Sequence, residues 1–363
     1  MRTIQSRLIL SFSVAILVPA IITCYVGMRL ISDQVITRAE TKAISDLNSA
    51  REIYRNKLTE IHSVTRLTAI RSLVRQAVAD RDRAFLSDDL QKTRRREQLD
   101  ILTIVDSSAA VIVRARNPSG AGDTLRADEF ISRVARTRLP VVGTRIIGHD
   151  ELMRESADLA AQARMEVIPT PKASPRTQPE ELSGMLLESA VPLFDDNDRF
   201  LGVLIGGVLL NRNFEVVDKI NQIVHEGQVF EGKEIGTATV FQGDLRISTN
   251  VKNNDGTRAL GTLVSGEVAG AVLGRGERWV GEAFVVNASY IAAYEPIRDP
   301  MGTIIGILYV GVLKEPFDLV LRKTLVTFLG IAFLGILIIV FVSGLLARRL
   351  ATPLKTLEDI SRK

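Results

Sequence analysis

Two stretches carry no charge for about 20 positions, Leu8–Met28 and Leu325–Leu346, a length that crosses roughly 30 Å of hydrocarbon at 1.5 Å per residue. They predict transmembrane helices over residues 8–30 and 324–346. Arg2 and Arg7 would also suit a cleaved signal peptide, but the apolar core is too long and runs on into a helical pattern without a small-residue cleavage site. Arg2 and Arg7 precede the first stretch, and Arg348, Arg349 and Lys355 follow the second. Basic residues stay on the cytoplasmic side, so residues 1–7 and 347–363 are expected in the cytoplasm and residues 31–322 outside it.

Between these segments the hydrophobic period changes twice. From Ser32 to about Arg83 there is no Gly or Pro, and Val35, Ala39, Leu47, Tyr54, Leu58 and Ile61 recur at helical steps. This predicts one stalk helix within residues 31–98, its first 50 or so residues reaching about 75 Å. Arg94, Arg95 and Arg96 read as a solvated helix end. From Asp100 the pattern becomes strand-like in ILTIVD and AVIVRAR, stopped by Asn117-Pro118. A helix near 128–137, a strand VVGTRII and a helix from an Asp150 cap to about Arg164 follow. Pro169, Pro171, Pro175 and Pro179 then force an extended loop, either a lid over a pocket or a surface connection.

An internal repeat sets the expected architecture. AVPLFDDNDRFLGVLIGGVLL aligns with AYEPIRDPMGTIIGILYVGVLK, pairing Pro192 with Pro296, Gly202 with Gly306, Gly207 with Gly311 and Val208 with Val312, all 104 positions apart. Each copy reads as strand, turn, strand. The openings TIVDSSAAVIVRA and TVFQGDLRIST read as hairpins at another offset. The fold class expected is α+β, with two tandem modules over 99–213 and 237–322. A linker over 214–236 joins them, its helix lining Phe214, Val217, Ile220 and Val224 on one face.

Composition removes several functions. The 363 residues are 46% hydrophobic, with net charge +4 but only 5% aromatic residues and bases interleaved with acids, which argues against a nucleic-acid platform. Cys24 is the single cysteine and lies in the first apolar stretch, leaving no disulfide or thiolate metal site. His62, His149 and His225 lack metal-ligand spacing, and no HExxH, P-loop or nucleophile-elbow motif occurs. No catalytic residue, cofactor or metal is expected. His62 reads as a surface or packing histidine of the stalk, the run Asp195–Asp198 as a hairpin turn rather than a calcium loop, and Asn287-Ala288-Ser289 as a tight turn.

RISTNV, GTRALGTLVS, GERWVGEAFVV, YIAAYEPIRD and IIGILYVGV in the second module, with SGMLLESAVPLF and GGVLLNRNFEVVDKI in the first, resemble the Cache family. The whole arrangement looks like a double Cache (PAS-like) sensor of a bacterial transmembrane receptor. The tail RRLATPLKTLEDISRK resembles the first helix of a HAMP relay, with Pro353 at the family's proline position and Leu354 beside it; the second HAMP helix is not in the sequence. The resemblance implies a multi-pass protein of the bacterial inner membrane that senses a small molecule, often a carboxylate or amino acid, outside the cytoplasm. It would act as a homodimer through its stalk and HAMP helices, passing the signal to an output domain in a longer parent or a partner. A sensor histidine kinase is the first expectation; a chemoreceptor, a cyclic-dinucleotide enzyme receptor or a stand-alone binding protein are the alternatives.

Strand alternation in the second module puts Trp279, Gly281, Ala283 and Val285 on one face, and Tyr290, Ala292 and Tyr294 on another. If these faces meet, the three aromatics wall a cavity floored by small residues, with Arg246 or Arg278 as the cation for an anionic ligand. The alternative is that the aromatics fill the core of the sheet and the arginines face water. In the first module Arg114, Arg116, Arg145 and His149, expected near the proline-rich loop, form a second candidate group.

Overall fold

The computed structural model describes residues 4–361, with side chains from Val14 to Leu345 apart from Ile16, Leu17 and Ser343. Residues 1–3 and the side chains of the expected relay residues Pro353 and Leu354 lie outside what is described. The chain divides into two units, residues 42–313 and residues 1–41 with 314–363.

Helix α1 (Ile4–Ala69) enters the first of these units at Lys42 and buries Ala43, Leu47, Ala50, Tyr54 and Ile61 there. The expected helix to Arg83 does not form. Arg71 takes an extended ψ of 125° and holds Asp89 with two hydrogen bonds of 2.6 and 2.8 Å. The chain continues as α2 (Ser72–Ala79) and α3 (Arg83–Arg96), packed on each other. Their corner has Arg81 at φ +56°, and Asp82 caps α3 by accepting from the Phe85 N–H at 3.0 Å. A tertiary ion pair and the burial of Leu86 and Leu90 thus break the helical pattern within a stretch, Ser32 to about Arg83, that contains no Gly or Pro. In this unit α1 is left with residues 42–69, about 42 Å of helix.

Then follow β1 (Ile101–Asp106), β2 (Val111–Arg114), α4 (Glu129–Thr137), β3 (Val141–Ile147), α5 (His149–Glu155) and α6 (Ala157–Ala163). The helix expected from Asp150 to Arg164 is two helices. Ser156 is extended (φ −174°, ψ 141°) and its hydroxyl accepts from the Asp158 N–H, so a new helix begins there. The two-residue strands β4 (Met165–Glu166) and β5 (Glu180–Glu181) bracket the proline-rich loop. The strands β6 (Gly184–Phe194) and β7 (Phe200–Leu209) complete an antiparallel sheet ordered β2-β1-β7-β6-β3.

The second half repeats this plan. After α7 (Glu215–His225), β8 (Val229–Phe230) and β9 (Lys233–Glu234) come β10 (Gly236–Gln242) and β11 (Leu245–Thr249). Next are α8 (Gly266–Ala269), which runs into a π-helical turn at Gly270–Gly274, then β12 (Trp279–Val285), β13 (Ala288–Arg298) and β14 (Ile304–Leu313). The sheet order is β11-β10-β14-β13-β12, the same as in the first. The 104-residue offset holds at the level of register: Pro192 faces Val203 and Pro296 faces Ile307, and a bulge follows Leu193 and Ile297 alike. It also holds in turn chemistry. The Asp195 carboxylate accepts from the Asn197 and Arg199 N–H groups, and Asp299 from those of Met301 and Thr303.

α1 lies along one face of both sheets. Tyr54 and Thr144 share a hydroxyl hydrogen bond of 2.7 Å, His62 meets Ser189 at 3.0 Å, and Arg51 clamps Glu295. Gly206 permits the close approach, because a Cβ there would sit 2.3 Å from Thr65 Oγ1. The opposite face of the first sheet is sealed by Phe130, Ile131 and Val134 of α4 and by Leu152, Leu159 and Ala163.

In the other unit α9 (Glu315–Ser361) follows β14 after a single residue, Lys314. Its segment Glu315–Val342 is long and apolar enough to cross a membrane, with a mean hydropathy of 3.0 over its most apolar 18 residues, the one such stretch among the described residues. Val326 and Phe341 are each about two-thirds exposed, as suits a lipid-facing surface.

Candidate functional site

The site is built on the face of the second sheet turned away from α1. Antiparallel pairing sets Trp279 opposite Tyr294, Gly281 opposite Ala292 and Ala283 opposite Tyr290. The small residues do more than leave space. The Trp279 ring lies down over Gly281, where a Cβ would come within 3.1 Å of it, and Gly311 lets the Tyr309 hydroxyl lie where its Cβ would be. Tyr294 then packs between Trp279, edge to face at 5.5 Å, and Tyr309, tilted at 4.7 Å, between ring centroids. Above this wall is a cavity of about 350 Å³.

Arg246 of β11 opens into that cavity and is only 4% exposed. Among the described residues its guanidinium forms no ion pair, and Nε and Nη1 have no hydrogen-bond partner. Its Cζ lies 5.2 Å from the Phe241 ring centroid, and the groups that act on its charge are the hydroxyls of Tyr309, Tyr294 and Tyr290. Burial therefore holds its pKa below the usual arginine value, with the tyrosines opposing weakly. The same burial pushes Tyr294 and Tyr309 above the usual phenol range, so both stay neutral donors. Among the described residues two other Lys or Arg side chains belong to buried residues, Lys57 and Arg114, and each faces carboxylates.

The roof comes from the first half of the chain. The proline-rich loop crosses to the second sheet, where Ile168 N–H donates to Gly261 O at 2.8 Å and Leu263 N–H to Thr170 Oγ1 at 2.9 Å. Gly266 N–H reaches Lys172 O at 2.8 Å, and Arg176 ties down Asp244 at 2.9 Å. Pro169, Thr170, Pro171 and Lys172 line the cavity. Gly261, at φ +77°, allows the crossing, since a Cβ would stand 2.2 Å from Glu166 O. The rim holds Glu267, which accepts from the Trp279 indole N–H at 3.1 Å.

The other expected site residues lie elsewhere. Tyr290 borders a separate polar cavity with Thr237 and Asn250. Arg278 turns to the α1 side and sits 3.7 Å from Glu295. Arg114 is enclosed by Asp123 at 2.7 Å, Glu155 at 2.8 Å and the Gly120 carbonyl. Arg116 pairs with Asp100 and Asp158. Arg145 faces Glu188, Glu151 and Asp128 at 2.7, 2.7 and 3.1 Å. His149 opens α5 with its Nδ1 buried and unpartnered. The proline-rich loop, expected near these residues, covers the second sheet instead, because its hydrogen-bond partners are there. Tyr309, Thr170 and Lys172 were not anticipated; the alternation Tyr309-Val310-Gly311 carried the signal for the first.

Glu188 gives this network a pH signature. Full burial raises its pKa to about 8, with Arg145 opposing and Asp128 and Glu151 adding to the rise. The folded state then holds a proton that the unfolded state releases above about 4.5, so stability falls as pH rises towards 8. His225, lowered to about 4 by burial and then by the Lys42 charge, acts oppositely, losing stability as pH falls from 6.5. Above pH 6.5 the His225 contribution is constant, while that of Glu188 changes until about pH 8. Thermal stability should decline there by at most about 1.4 kcal/mol per pH unit, and Glu188→Gln should flatten the decline in a melting series.

A family model described as the double sensory domain of two-component sensor kinases matches residues 36–224, more than half of the chain. The chain belongs to the double Cache family. A single Cache domain model also matches residues 208–324, over the second sheet. No curated protein matches the chain. Among solved structures, the periplasmic domain of Vibrio cholerae LuxQ is similar at 13% identity, over 74% of this chain and 98% of that one, with a TM-score of 0.42. The sensor domain of the V. cholerae histidine kinase DctB is similar at 10% identity over 77% and 98%, TM-score 0.42. The ligand-binding domain of the Pseudomonas aeruginosa PAO1 amino acid chemoreceptor PctC, solved with GABA, is similar at 11% over 77% and 99%, TM-score 0.37. Among the described residues no group of His, Cys, Asp or Glu is arranged to hold a metal.

Proposed function

We propose that the protein is a transmembrane receptor whose second Cache module binds a small carboxylate on Arg246 and passes the event to an output inside the cell. The observation that carries this is a buried guanidinium without a counter-ion, opening into a 350 Å³ cavity under an aromatic wall. Taking a charge out of water costs several kcal/mol unless it is paired. An anionic ligand supplies the missing partner, with Arg246 offering two parallel N–H bonds to a carboxylate and Trp279 and Tyr294 packing its apolar part.

In this reading modules at 99–213 and 237–322 lie outside the cytoplasm, helices at 8–30 and 324–346 cross the inner membrane, and residues 347–363 begin a HAMP relay. The ligand contacts β12, β13 and the loop over them. β14 lies beside β13 and leads through Lys314 into α9, so closure of the cavity shifts the start of that helix. A bias of about 1–3 kcal/mol suffices for a two-state relay in a stalk-paired dimer. The family model's description favours a two-component sensor kinase as the output.

Calorimetric titration of the full chain in nonionic detergent tests the ligand class. Small carboxylates and amino acids should bind, their amides should not, and Arg246→Lys should weaken binding about tenfold or more by losing the bidentate contact. Equal binding of acid and amide would overturn the assignment.

A further inference from the structure

A second cavity, of about 480 Å³, lies on the other face of the second sheet, where α1 passes between the two halves of this unit. It is walled by Arg51, Tyr54 and Arg55 of α1, by Gly143 and Thr144 of β3, and by residues of the second sheet. Four arginines line it, Arg51, Arg55, Arg278 and Arg298, against one carboxylate, Glu295. Glu295 is spent on Arg51, which holds it through both Nε and Nη2, the former at 2.7 Å. Arg278 forms only a loose ion pair with the same carboxylate, at 3.7 Å and beyond hydrogen-bond distance, and its guanidinium makes no hydrogen bond among the described residues. Arg298 uses one N–H on the Gly302 carbonyl at 2.9 Å. Arg55 pairs with Glu52 outside the groove, both side chains about two-thirds exposed, a contact that water and salt largely screen.

The neutral polar groups of the groove are already satisfied. Tyr54 and Thr144 bond each other at 2.7 Å and do not compete for a ligand. What remains is a half-open pocket whose spare hydrogen-bonding capacity is almost all guanidinium N–H. Such a surface suits a small oxyanion with two or more negative charges, which can bridge separate arginines where a monocarboxylate would satisfy one.

We infer that this inter-module groove is a binding site for a multivalent oxyanion of the phosphate type, distinct from the cavity at Arg246. A ligand here touches the stalk helix through Arg51 and Arg55 and the second module through Arg278 and Arg298. It would therefore act as a second input on the same element that the first ligand moves.

The probe is inorganic pyrophosphate, titrated into the full chain in nonionic detergent, with acetate at matched ionic strength as control. Saturable pyrophosphate binding is expected, weakening as salt is raised. Arg278→Gln with Arg298→Gln should weaken it about tenfold or more, since two charge-assisted contacts are lost. Both side chains are partly exposed, so the melting temperature without ligand should hold. Glu295→Gln should tighten binding by releasing Arg51, a result that a purely structural role for the arginines would not give. Arg246→Met should leave pyrophosphate binding unchanged, which separates this site from the carboxylate cavity. No saturable binding, or binding indifferent to the double variant, would overturn the inference.

Discussion

Arg246→Met is expected to raise the melting temperature of the protein while abolishing its response to carboxylates. The side chain is 4% exposed and has no acidic partner. Two effects compete in the empty protein. Desolvating an unpaired charge costs several kcal/mol, whereas the guanidinium–Phe241 contact at 5.2 Å returns about 0.5–2 kcal/mol. The cost exceeds the return, and methionine fills similar volume with an adaptable apolar chain. A gain of about 1–3 kcal/mol is expected, read as a shift of some 2–6 °C by differential scanning fluorimetry. A fall in melting temperature would mean that Arg246 is satisfied in the empty protein, and the ligand argument would lose its basis.

The second large effect runs the other way. Arg114 is 1% exposed and neutralises Glu155, itself fully buried, together with Asp123. Burial raises the Glu155 pKa, and Arg114 and the Thr103 hydroxyl are what favour its ionised form. Arg114→Met leaves this carboxylate without its cation, and about 3–5 kcal/mol of stability should be lost. Denaturant unfolding of the variant, and of Arg114→Met combined with Glu155→Met, measures it. The double variant should recover much of the loss, because the uncompensated charge goes with the second change. A cost below about 1 kcal/mol would show that solvent reaches the pair.

The paired hairpins were legible because their signals are local and repeated. Asp195 and Asp299 each fold their turn through side-chain to backbone hydrogen bonds that depend on neighbours two and four residues away. A translation by 104 residues makes such chemistry visible twice. The aromatic wall was legible for a similar reason, since a period of two assigns Trp279, Gly281 and Ala283 to one face. The same rule places Arg278 on the opposite face, where it lies, and so excludes it as the cation of that pocket.

The rest depended on distant partners. The stop at Ala69 answers to Asp89, and the break at Ser156 turns Glu155 towards Arg114. The prolines at 169–179 announced an extended segment, but its landing place was set by Gly261, Leu263 and Asp244, some 70 to 95 positions later. Whether an arginine is paired is likewise invisible to periodicity: Arg114, Arg116 and Arg145 meet carboxylates, and Arg246 does not.

That crossing segment has a bearing on receptor engineering. Because the ceiling over Arg246 is encoded upstream of the module that owns the floor, a chimera cut between the two sheets would carry half a pocket. The smallest cassette that can be exchanged with its recognition intact therefore begins before Met165 and keeps both sheets together.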